Sequence, residues 1–256
     1  MIPPRYVFFL GGHDLEMVTI AELLHERQSA GDPRVAEICD KGLPWGARAS
    51  DYRSEIAAAA ARGLSPVLVE LTCDMPLPPG CFEIDHHGPR SAEPAALRQV
   101  FTLLDLPESL WTRDFELVAA NDIGHIPALE RFGATTAEIA EIRRRDRQAQ
   151  GITAEEEAQG LAALAQAETA LAGSLIVITL PHGRTATVAD PLVAAGDRRD
   201  LLILCPDTVQ FFGAGARIAR LDAAFPGGWR GGELPRRGFW GLAASPPLPA
   251  LLAALG

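Results

Sequence analysis

Hydrophobic and polar positions along the chain fall into two successive α/β rhythms. "RYVFFLGG" is a short apolar and aromatic run closed by two glycines, the pattern of a buried strand. In "DLEMVTIAELLHERQ", apolar residues at positions 15, 18, 20, 23 and 24 make a helical stripe that begins at an aspartate. "DYRSEIAAAAARG" predicts an alanine-rich helix, and "SPVLVEL" and "CFEIDHH" predict two short strands on either side of the proline-rich turn "DMPLPPG". From there the pattern is helical to about residue 172, with Gly133, Gly151 and Gly160 as expected breaks.

At residue 174 the rhythm restarts. "SLIVITLP", "LLILCP" and "VQFFG" read as strands, "TATVADPLVAA" and "RIARLDAAF" as helices, and "SPPLPALLAALG" as a short closing helix. "FPGGWRGGELPRRGFWG" is so rich in glycine that neither a regular helix nor a sheet is expected there. The fold class that follows is α/β: a parallel sheet flanked by helices over residues 1–172, helical connector included, then a smaller glycine-rich α/β domain over 173–256.

Composition narrows this picture. The N-terminus lacks the apolar stretch of a leader peptide, and no window has the 18 or so uncharged apolar residues of a membrane span. Cys39, Cys73, Cys81 and Cys205 form no C-x-x-C pair, so reduced thiols and a cytoplasmic location are expected. A net charge of −10 argues against a non-specific binder of long nucleic acid. Residues 1–173 carry 15 basic and 27 acidic side chains and residues 174–256 carry 8 and 6, so the acidity lies in the first part. An acidic first part suits metal cations, and a mildly basic second part suits a phosphorylated ligand; uneven sampling between two domains accounts for it equally well.

Candidate chemistry sits where strands end, the place at which parallel sheets gather ligands. His13, Asp14 and Glu16 lie between the first strand and the first helix, where Asp14 could equally be an N-cap and Glu16 a dipole partner. Asp74 follows the strand "VLVEL", though an aspartate opening a proline-rich turn is common. Asp85, His86 and His87 close "FEIDHHG"; imidazole with carboxylate suits borderline divalent metals, and Asp85 could orient a ligating histidine. In "AANDIGHIP", Asp122 and His125 share a helical face broken by Gly124 and Pro127. "EIRRRDRQAQG" reads as a solvated helix face with Glu141 and Arg145 paired at i, i+4 spacing. Lys41, Trp45 and Arg48 share a loop in which the tryptophan could stack on a base or anchor the loop.

The order of these groups resembles the DHH phosphoesterase superfamily, named for its Asp-His-His motif. The resemblance spans most of the chain, with "GGWRGG" similar to a divergent form of that family's associated C-terminal domain. It implies two divalent ions, typically Mn2+, with Asp74 bridging, Asp14 on one side, and Glu16, His86 and Asp122 toward the other. His87 would then face the substrate phosphate, and Asp85 is counted with it as a catalytic residue. Gly227, Gly228, Gly231 and Gly232 would present backbone N–H groups to the ligand, with Arg230, His182 and Arg184 adding contacts.

Two departures stand out. Leu10 occupies the place of the family's first histidine and Glu16 that of an aspartate, so either His13 substitutes or one metal site is weakened. The family's Gly-Gly-Gly-His signature is also missing. The expected activity is metal-dependent hydrolysis of a small phosphorylated substrate: a short RNA, a nucleoside bisphosphate or a cyclic-dinucleotide product. No membrane or long nucleic-acid partner is expected, and a homodimer is compatible with the sequence. The alternatives are a metal- and nucleotide-binding sensor that has lost hydrolysis, or a metal hydrolase on another scaffold.

Overall fold

The computed structural model describes residues 4–244 and 246–256. It divides into two compact units, one ending at Gln150 and the other beginning at Gly151.

The first unit is built on a four-stranded, wholly parallel sheet in the order β2-β1-β3-β4, formed by Tyr6–Leu10 (β1), Val35–Cys39 (β2), Ser65–Val69 (β3) and Phe82–Ile84 (β4). Strand alternation sorts the core into two layers. Tyr6, Phe8, Leu10, Val67 and Val69 face a cluster that includes residues of α1 (Leu15–Ser29), α3 (Ala96–Leu103), α4 (Arg113–Phe132) and α5 (Thr136–Ala149). Val7, Phe9 and Leu68 face Tyr52 and, from α2 (Arg53–Ala61), Ile56 and Ala59. Because β2 lies on one side of β1 and β3 on the other, the strand order reverses beside β1. A ligand crevice is expected at the carboxyl ends there. The strand ends approach closely: a Cβ on Gly11 would lie 2.3 Å from the Glu70 carbonyl oxygen.

The second unit has a six-stranded mixed sheet in the order β5-β6-β7-β8-β10-β9: Glu168–Ala170 (β5), Leu175–Thr179 (β6), Asp200–Leu204 (β7), Val209–Ala214 (β8), Trp229–Glu233 (β9) and Arg237–Leu242 (β10). Only β6 and β7 pair in parallel. Leu175, Val177, Leu202 and Phe211 pack on α8 (Gly215–Ala224) and α9 (Leu248–Leu255). Ile176, Ile178, Leu201 and Ile203 pack on α6 (Ala154–Ala165) and α7 (Ala186–Ala194).

Three expectations are corrected here. The boundary falls at 150/151 rather than 172/173, because α6 packs on α7 and β5 pairs with β6, so the supposed connector belongs to the second unit. Gly160 does not break a helix; it sits inside α6, where a Cβ would lie 2.6 Å from the Thr187 side chain, so its smallness permits close packing. The glycine-rich segment does form sheet, the antiparallel β9–β10 hairpin. Its glycines lie under aromatic rings: a Cβ on Gly231 would meet Phe239 at 2.6 Å, and one on Gly241 would meet Trp229 at 2.3 Å. Strands β2 and β5 have no distinct alternation and were not expected. Among the described residues, no helix is long and apolar enough to cross a membrane.

Candidate metal centre

Four elements of the first unit send one acidic or imidazole side chain each to a single point. Glu16 comes from the first turn of α1, Glu70 follows β3, His86 follows β4 and Asp122 belongs to α4. One ligand-type atom from each lies within 4.8 Å of the other three. His86 Nε2 is 3.1 Å from Glu70 Oε1 and 4.0 Å from Glu16 Oε2, and it touches Asp122 Oδ2. A second, overlapping group joins Glu70, His86 and His87, with His87 Nδ1 3.7 Å from Glu70 Oε1.

Local structure fixes each donor. Asp14 caps α1 by accepting from the Met17 amide at 2.9 Å, which sets the helix start and so the direction of Glu16. Glu16 Oε1 accepts from the Leu97 amide at the N-terminus of α3 at 2.9 Å, leaving Oε2 aimed at the cluster. Glu70 sits at φ 52°, a left-handed conformation that costs a non-glycine residue about 1–3 kcal/mol. α4 is broken at Gly124–His125, where His125 has φ 49°, immediately after the turn that carries Asp122.

The fit to a cation is read from buried polar atoms that crowd one another without an aligned hydrogen bond. Glu16 Oε2, Glu70 Oε1, His86 Nε2 and Asp122 Oδ2 are all buried without an aligned hydrogen bond. Among the described residues the other such side-chain atoms are Arg27 Nε and Trp240 Nε1. Crowded on one imidazole, three carboxylates repel one another, and a cation among them would relieve that repulsion. Three carboxylates and an imidazole form a mostly hard donor set suited to Mn2+ or Mg2+.

Electrostatics agree. Burial, then the nearby Asp122 and Glu70 charges, pushes the Glu16 carboxyl well above its usual range. Burial and the Asp122 charge likewise raise Asp14 to about 7. Burial alone would lower His86, but Asp122 and Glu70 override it and raise the imidazole to about 10. Burial would raise Asp122; its contact with His86 instead holds it below the usual carboxylate value. With no cation, a proton on His86 supplies the neutralising charge.

The structure thus brings together Glu16, His86 and Asp122 of the expected set, with Asp14 beside them and His87 at the edge. Asp85 accepts from the His87 backbone amide at 2.8 Å and from Nδ1 at 3.0 Å, so it orients that ring. Asp74 is corrected: it is exposed, and its carboxylate accepts from the Ser50 amide at 3.0 Å and hydroxyl at 2.6 Å as a turn cap. Glu70, four residues earlier, occupies the strand-end place expected of Asp74; the signal available was its position directly after β3, beside Gly11. His13 is exposed, outside both donor groups, and its amide serves Leu43.

In the second unit the expected ligand contacts have internal partners. Arg230 pairs with Asp222, Arg184 with Glu156 at 3.5 Å, and His182 Nε2 lies 3.0 Å from the Glu156 carbonyl. Gly227 and Gly232, at φ 94° and 92°, serve the hairpin backbone, and Gly228 leaves room for Trp240. The expected Glu141–Arg145 pair is replaced by Glu141–Arg144 at 2.7 Å and Arg145–Asp114 at 2.6 Å. Trp45 does not anchor its loop: it is 81% exposed, while Lys41 is held by Glu55 at 2.7 Å.

No protein-family model matches the chain, and no curated protein matches it in sequence. Solved structures do match in fold. RecJ from Thermus thermophilus in complex with Mn2+ gives a TM-score of 0.52 at 15% identity, covering 98% of this chain and 51% of that one. The Mg2+ complex gives 0.52 at 15%, covering 98% and 49%, so the chain spans about half the length of that protein. An exopolyphosphatase-related protein from Bacteroides fragilis gives 0.49 at 12% identity, covering 98% and 90%. With a parallel sheet that ends in Asp-His-His at β4 and a second, mixed-sheet unit following it in the chain, the protein is similar in fold to RecJ.

Proposed function

We infer that the protein is a divalent-metal-dependent phosphoesterase acting on a small phosphorylated substrate, a nucleotide or short oligonucleotide phosphoester. The observation that carries this reading is the convergence of four buried donors, crowded without aligned hydrogen bonds, from Glu16, Glu70, His86 and Asp122 at the carboxyl end of a parallel sheet. These residues would hold the cation, and Glu70 and His86, shared with the His87 group, would border a second. Bound there, a pair of divalent ions supplies Lewis-acid polarisation of a phosphoryl oxygen and a water ionised near neutral pH. The Mn2+ and Mg2+ complexes of RecJ agree with this donor set.

The chain's own groups do the rest. Because the Asp85 carboxylate only accepts, His87 Nδ1 carries the hydrogen and Nε2 is left for the substrate. His87 is exposed at the edge of the cluster, a position from which it can bind a phosphoryl oxygen or pass a proton to the leaving oxygen. The buried carboxylates exclude a second anion unless cations are present, which makes phosphate binding conditional on metal. The net charge of −10 favours short substrates over long strands.

The test is incubation with Mn2+ and a panel of dinucleotides, nucleoside bisphosphates and pyrophosphate. Turnover of a nucleotide phosphoester that is abolished by chelation is expected. Bound metal with no turnover of any substrate would overturn the reading in favour of a binding protein of the same fold.

A further inference from the structure

Behind the cluster, α5 carries a charged pair that the proposed chemistry does not use. Arg143 and Asp146 are 5% and 3% exposed, on a helix whose neighbouring arginines, Arg144 and Arg145, make surface ion pairs. Arg143 Nη1 is 2.7 Å from Asp146 Oδ2, 2.9 Å from Asn121 Oδ1 and 3.1 Å from His125 Nδ1. Asp146 Oδ1 accepts from the Leu15 amide at 3.3 Å, and its Oδ2 also accepts from Gln150 Nε2 at 3.1 Å.

The partners decide what the pair does. Asn121 precedes Asp122, and His125 is the strained residue at the break in α4. Leu15 lies between Asp14 and Glu16. A buried guanidinium gripping Asn121 fixes the rotation of the α4 segment about its axis, which sets where the next side chain, Asp122, points. Guanidinium only donates, and the two Nη1 hydrogens are shared among three acceptors. His125 Nδ1 thus accepts a shared hydrogen bond that ties the ring of this residue to α5. At the other end of the pair, the Leu15 amide is one of the unpaired N–H groups of a helix start; holding it fixes the first turn of α1 and with it Glu16.

We propose that Arg143 and Asp146 are positioning residues that lock two donor-bearing segments, the start of α1 and the break of α4, into one metal-binding geometry. This rests on the reading of Glu16, Glu70, His86 and Asp122 as a divalent-cation site. Groups that orient ligands from behind typically govern metal affinity 10- to 100-fold. Burying an ion pair is a poor route to stability alone, so the informative feature of this pair is what it grips: Asn121, His125 and the Leu15 amide.

The experiment is Mn2+ titration calorimetry on the 256-residue chain at a temperature where circular dichroism shows each variant folded. Arg143→Met is expected to weaken Mn2+ binding by about 10- to 100-fold, with Arg143→Lys recovering part of the loss. Asp146→Asn, which keeps an acceptor for Leu15 but loses the charge, gives a smaller loss and serves if Arg143→Met does not fold. Val100→Ala, a core change in the same unit, is the control: it should lower the melting temperature and leave affinity unchanged. Unchanged affinity in both the Asp146→Asn and the foldable Arg143 variants, or an equal loss in Val100→Ala, overturns the proposal. Wild-type protein that binds no Mn2+ overturns the metal site itself, a result distinct from the first two.

Discussion

Two buried carboxylate sites, one in each unit, are built in opposite ways. In the second, Asp200 is 6% exposed and fully engaged: Arg217 at 2.8 Å, Arg237 at 3.2 Å and the Ala214 amide at 3.1 Å. In the first, Glu16, Glu70, His86 and Asp122 are similarly withdrawn from water, yet they crowd one another with, among the described residues, no arginine or lysine and no aligned hydrogen bond at the atoms that meet. One arrangement completes itself; the other leaves places for a cation. Charge marks the same contrast, with like charges crowded around Glu16 in the first unit. Mutation should separate the two kinds of site.

The largest effect should come from the donors. His86→Ala or Asp122→Asn is expected to lower turnover by at least about 10²-fold, measured under saturating Mn2+, while the second unit unfolds as before. Next is the pH dependence of the metal-free first unit. Asp14 is raised to about 7, so the folded chain retains a proton that the unfolded chain has released. The stability this confers is present below about pH 4 and lost as pH climbs to about 7, by at most about 4 kcal/mol. His86, raised to about 10, extends the decline upward from its ordinary value near 6.5. Denaturant midpoints should therefore fall from about pH 5 to about pH 9 without metal, and Asp14→Asn should flatten the lower part of that slope.

Smaller effects probe the other unit. Gly160→Ala forces a methyl group against Thr187 and should cost about 1–3 kcal/mol, with Mn2+ affinity unaltered. Arg230→Ala removes an exposed pair with Asp222, so stability should change by less than about 1 kcal/mol. A loss of turnover in Arg230→Ala without loss of stability would blur the comparison and restore a substrate role for the hairpin.

Much of this is legible in sequence because the physics is local. Apolar runs of strand length, an aspartate at a helix start and two histidines on a strand end are visible without coordinates, and they locate β1, α1, β3, β4 and three of the four donors. What escapes the sequence is non-local. Glu70 reads as the last polar letter of an apolar strand, and only the approach of Gly11 and β4 reveals that its side chain turns into the cluster; Asp74, in a more conspicuous position, is occupied by Ser50. The hairpin glycines look like chain breakers until the rings of Phe239 and Trp229 are seen lying across them. Arg143 looks like one of several surface arginines because helical spacing alone does not say which of them faces inward.

The most direct measurement compares Glu70 with Asp74. Mn2+ binding by titration calorimetry to the wild-type chain, Glu70→Gln and Asp74→Ala is expected to show weakening of at least about 10-fold in Glu70→Gln. Asp74→Ala should match wild type. Equal affinity in wild type and Glu70→Gln, or a loss confined to Asp74→Ala, would contradict the assignment of the cluster as the metal site.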